Sequence, residues 1–71
     1  MTPFTNREKL DCARRELAMR RSVYPRWVAS GKMRQTDADR EVATMAAIVA
    51  DYAERAGVED EMPLDRPESR Q

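Results

Sequence analysis

The 71-residue sequence contains no histidine and a single cysteine, Cys12. One cysteine cannot close an intrachain disulfide. Without histidine or a cysteine pair there is no zinc site of ordinary spacing, and no metal or other cofactor is expected. The commonest general base is missing as well. Ser22, Ser30 and Ser69 have no visible base partner, and Cys12 falls among apolar positions, so the chain reads as a non-enzyme with no catalytic residues and no small-molecule substrate. No apolar run is long enough to span a bilayer, and Met1 to Leu10 lacks the apolar core of a signal peptide. With a lone unpaired cysteine, this points to a reducing cytoplasm.

Staples are also absent, which matters at this length. A short chain buries a modest share of its surface and ordinarily needs a disulfide, a metal or a second copy. Oligomerisation is the route left open. Glycine is scarce too, with two residues, Gly31 and Gly57. They punctuate the chain rather than loosen it.

The net charge is zero, but it is divided. Met1 to Arg34 carries nine Lys/Arg against three Asp/Glu, and Gln35 to Gln71 carries four against ten. The balance argues against direct nucleic-acid binding, since such proteins tend to be basic overall. Opposite charge on successive segments suits an antiparallel hairpin, or head-to-tail pairing of two copies.

The expected fold is all-α, an antiparallel two-helix hairpin over residues 1–57 that homodimerises into a four-helix bundle. Helix one is predicted over 6–29. Thr5 with Glu8 fits a capping box, and Thr2 before Pro3 is the alternative start. Leu10, Ala13, Leu17, Tyr24 and Val28 form one apolar stripe. Cys12, Met19, Val23 and Trp27 form a second on another side, the expected dimer interface. Pro25 withholds a hydrogen bond from Arg21, so the helix bends or ends there. Gly31 fits a helix C-cap.

Helix two is predicted over 37–56, capped by Thr36 and stopped by Gly57. Ala38, Val42, Met45, Val49, Tyr52 and Ala56 form a heptad seam that should meet the first stripe. Ala43, Ala47 and Ala50 fall away from that seam. Residues 58–71 are acidic and proline-interrupted and read as a tail, with Met62 and Leu64 able to strap it down.

Tryptophan, tyrosine and arginine dominate interface hot spots, and Met19 to Val28 concentrates them. Arg20, Arg21, Arg26 and Trp27 are the candidate partner contacts, with the acidic edge of Asp37, Glu41 and Asp51. A helix-turn-helix reading fails on chemistry. The helix after the turn begins Asp37-Ala38-Asp39-Arg40-Glu41, which phosphates repel.

The block Met19-Arg20-Arg21-x-Val23-Tyr24-Pro25-Arg26-Trp27-Val28, with Gly31-Lys32-Met33, Ala38-Asp39-Arg40-Glu41 and Met45-Ala46-Ala47-Ile48-x-x-Asp51-Tyr52, resembles a family of small proteins of temperate phages and prophages of Gram-negative bacteria. In size and hairpin design the chain is similar to the quorum-sensing anti-activators of Pseudomonas phages. That resemblance implies a homodimer made in the host bacterial cytoplasm. It would bind the DNA-binding domain of a LuxR-type transcription regulator, with the type IV pilus assembly ATPase as a second target. It transfers no binding residue. A phage assembly accessory dimer and a small nucleic-acid-binding protein are the alternative readings.

Overall fold

A computed structural model describes residues 3–60, and side chains are considered through Val58. It contains two helices, α1 (Asn6–Ala29) and α2 (Gln35–Asp60), joined by a short turn and packed against each other. The chain is an all-α helical hairpin. The heptad stripes that predict it are the ones buried.

The start of α1 is the expected capping box. The Glu8 backbone N–H donates to Thr5 Oγ1 at 3.0 Å, and the Thr5 N–H donates to Glu8 Oε1 at 2.8 Å. Two helix-end donors are thereby satisfied reciprocally. Thr5, not Thr2, is the cap. The other end closes in a Schellman arrangement. The Lys32 N–H donates to the Trp27 carbonyl at 2.8 Å and the Gly31 N–H to the Val28 carbonyl at 3.1 Å. Gly31 sits at φ +83°, a conformation that side-chain-bearing residues adopt at a cost.

Pro25 lies inside α1 without ending it. Its nitrogen has no N–H to give the Arg21 carbonyl, and the four residues after it complete the last turn.

α2 departs from its expected bounds at both ends. It begins at Gln35, because the Ala38 N–H already donates to the Arg34 carbonyl at 3.0 Å. The Gln35 side-chain amide donates to Asp39 Oδ1 at 2.8 Å, which binds the first turn ahead of the Thr36 signal. Thr36 is therefore a helical residue and not the cap. Gly57 is helical as well, and α2 runs on to Asp60. A glycine ends a helix only by turning left-handed, and Gly57 has no positive φ. Residues 58–60, expected in the tail, extend α2. The expected strap at Met62 and Leu64 lies outside the described residues.

The core is narrow. Leu10, Ala13 and Leu17 from α1 meet Ala38, Met45 and Ala56 from α2, all buried. Val42, Ala46 and Val49 pack at its margin. Tyr24, Val28 and Tyr52 are half-buried. Half of the fully buried side chains are alanines, so the helices approach closely but bury little apolar area per residue.

Candidate interaction surface

Arg20 is the most connected of the candidate contacts. It projects from the edge of the core stripe toward α2. Its Nε donates to Glu16 Oε2 at 2.9 Å, one turn earlier. Its Nη1 donates to the Glu41 carbonyl oxygen at 3.2 Å and lies 3.4 Å from Glu41 Oε1. The Glu16 hydrogen bond, opposed by partial burial and helped by nearby charge, raises the guanidinium above its ordinary value. Two expected contacts, Arg20 and Glu41, therefore serve first to clamp the helices at the turn-proximal level.

The remaining candidates spread over different sides. Arg21, one residue on, is turned by about 100°. It borders a groove with Pro25, Asp39 and Ala43, which Arg20 also lines. Arg26 is exposed. Trp27 stacks on Tyr24 with ring centroids 5.6 Å apart and planes at 28°, yet remains 42% exposed. Asp37 is exposed at the start of α2. Asp51 lies toward the other end, beside Glu54 and Arg55. The acidic edge is thus a line along α2, about 21 Å from Asp37 to Asp51 at 1.5 Å per residue.

Of the expected dimer contacts, Cys12 and Met19 are exposed and Val23 is half-buried. Beside Cys12 runs a groove walled by Phe4, Glu16, Ile48 and Tyr52. Sequence reasoning missed the cations that flank its Tyr52 ring. Lys9 Nζ lies 5.7 Å and the Arg55 guanidinium 5.0 Å from the centre of the Tyr52 ring. The Tyr52–Arg55 spacing of three residues was the available signal. The seam assignment of Tyr52 concealed it.

This arrangement presents apolar area, guanidinium donors and carboxylate acceptors on the outside of a small rigid pair. Among the described residues no group of three metal-binding side chains assembles, and no helix is long and apolar enough to cross a membrane. No protein-family model matches the chain, and no significantly similar curated protein or solved structure was found.

Proposed function

We propose that this chain is a non-enzymatic, homodimeric protein-binding hairpin that inhibits a host protein in the bacterial cytoplasm. The observation that supports a binding role is the turn end of α1. There Trp27 stays 42% exposed although stacked on Tyr24, and the same end of α1 carries the exposed Arg21 and Arg26 on other sides of the helix. Large, rigid aromatic surface beside arginine is the side-chain chemistry of interface anchors.

The choice of target rests on the phage-family resemblance alone. It gives the DNA-binding domain of a LuxR-type quorum-sensing regulator first and the pilus assembly ATPase second. A DNA-binding surface is basic, and the line of Asp37, Glu41 and Asp51 offers carboxylates where phosphates would lie.

Titration calorimetry of the purified chain against each target tests this reading. The expected result is saturable binding to the regulator domain, lost in Trp27→Ala and weakened when Asp37, Glu41 and Asp51 are changed to Lys. Helical content is checked for each variant, because Glu41 also receives Arg20. If neither target binds, the host-inhibitor proposal fails. If binding survives the charge reversal, phosphate mimicry fails.

A further inference from the structure

The groove beside Cys12 opens along one side of the hairpin. Phe4, Cys12, Met45, Ile48 and Tyr52 supply its apolar surface, and Lys9 and Glu16 line its α1 wall. Phe4 and Ile48 are exposed there. At about 100° per residue, Lys9, Glu16 and Cys12 fall roughly 80°, 100° and 140° around α1 from the buried Leu17. Glu41, Ile48 and Arg55 fall roughly 40°, 60° and 80° around α2 from the buried Met45, in the same rotational sense. In an antiparallel pair, the same sense puts both sets on one side of the molecule. Lys9, Cys12, Glu16 and Ile48 border the one groove, and Arg55 stands over the Tyr52 ring beside it.

Contacts inside the chain give the relative heights. Arg20 meets Glu41 and Lys9 meets Tyr52, and in both pairs the residue numbers sum to 61. Ile48 is therefore level with Ala13 of α1. About that level each helix carries opposite charges at matched distances. On α2, Glu41 lies seven residues before Ile48 and Arg55 seven after. On α1, Lys9 lies four residues before Ala13 and Glu16 three after.

A surface patterned in this way is its own complement across a two-fold axis. We propose that a second copy of this chain covers the groove, about an axis that crosses the helices at the level of Ile48. Each helix then runs antiparallel to its counterpart, and the turns lie at opposite ends. Ile48 meets Ile48 of the second copy. Glu41 of each copy comes level with Arg55 of the other, and Lys9 with Glu16 to within one residue, ~1.5 Å. Both pairs form twice. Val23 and Trp27 lie past the start of the other copy's α1 and stay open to a partner. The inference rests on the homodimer proposed above and adds its orientation and register.

Stacking this side with the turns together suits the same residues less well. It sets Val23 and Trp27 near Asp37 and Glu41 of the second copy, where apolar groups strip water from carboxylates without replacing it. It also brings Lys9 within a turn of the second copy's Arg55. The opposite net charges of α1 and α2 favour that stacking at a distance, but salt screens them and the touching residues decide.

The test puts a cysteine on the axis of the full chain. Cys12→Ser with Ile48→Cys is oxidised mildly and run without reductant. A covalent dimer joined residue 48 to residue 48, identified by peptide mass, is expected. Cys12→Ser with Asp37→Cys is the control. Its two residues 37 lie ~33 Å apart along the helices, so little covalent dimer is expected. In parallel, Lys9→Glu or Glu16→Lys alone should weaken the dimer about fivefold in sedimentation equilibrium, and the two together should restore it. Cross-linking through residue 37 equal to or above that through residue 48 overturns the arrangement but leaves the homodimer standing. Failure of the double charge variant to recover does the same. A monomer mass for the unsubstituted chain overturns both.

Discussion

The two glycines should respond to the same substitution with opposite sign. A Cβ built at Gly31 or at Gly57 meets nothing within 4 Å, so neither change adds or removes a contact inside the chain. What remains is the backbone. Gly31 closes α1 at φ +83°, where alanine is strained by about 1 kcal/mol. Gly57 lies inside α2 with no such requirement. There alanine reduces the freedom of the unfolded chain and favours the helix by about 0.5–1 kcal/mol, toward the low end so near the helix terminus. For a domain of this size, about 1 kcal/mol moves Tm by roughly 4–8 °C. Gly31→Ala should therefore melt about 4–8 °C lower and Gly57→Ala about 2–4 °C higher. Thermal unfolding followed by far-ultraviolet circular dichroism measures both, at one protein concentration because association shifts Tm. Two shifts of the same sign would refute the reasoning. A loss at Gly57 has a specific meaning. Gly57 continues a line of small residues, Ala43, Ala46, Ala50 and Ala53, on the side away from Ile48. Destabilisation there would point to a second chain pressed against that line.

Leu10→Ala removes the largest fully buried side chain and should cost about 2–5 kcal/mol, enough to unfold much of the population in urea titration at 25 °C. Thr5→Ala breaks the capping box and should cost about 1 kcal/mol by the same assay. Arg20→Ala loses the links to Glu16 and Glu41, which are partly exposed, and should cost about 0.5–1 kcal/mol, shrinking as salt rises. Because Arg20 is held above its ordinary value, its contribution is complete at lower pH and is lost only as pH climbs through the raised value, so denaturant midpoints of the unsubstituted chain and Arg20→Ala should keep a constant offset across the neutral range. Pro25→Ala returns a donor to the Arg21 carbonyl and should raise stability by about 1–3 kcal/mol, which a drop in midpoint would contradict.

Much of the hairpin was legible because its signals are local. Thr5 and Glu8 need only each other to cap α1, and Gly31 needs only the last turn of α1 to bond to. The heptad seam from Ala38 to Ala56 repeats without interruption, so periodicity alone gives its buried side. Gly57 misled because glycine marks a helix end only when the chain turns left-handed there, and nothing in Arg55-Ala56-Gly57-Val58 imposes that turn. Thr36 misled because a better-placed side chain, Gln35 on Asp39, starts the helix earlier. Pro25 was ambiguous because its cost depends on distance from the helix end. The interaction surface was legible only as residue types. Arg20 on Glu41, and Lys9 and Arg55 around Tyr52, depend on the register between helices, which no single helix encodes.

The hairpin's economy explains why its outer surface carries so much of the argument. Two helices share one seam, and here small side chains fill much of it. Met19, Trp27 and Ile48 remain outside because, among the described residues, no third element covers them. The orientation of a dimer then decides what kind of binder it is. In a fully overlapped pair, turns at opposite ends would set the two Trp27 residues ~28 Å apart along the helices. Turns side by side bring both clusters, and the acidic starts of both α2 helices, to one end of a four-helix bundle. One partner could then engage two copies at once, and the second contact would form at high effective concentration. In such a pair the charge split between α1 and α2 would favour turns side by side, because each α1 would face an oppositely charged α2. Salt, which screens opposed surface charges beyond about 8–10 Å at 0.10–0.15 M, weakens the preference without touching the apolar core.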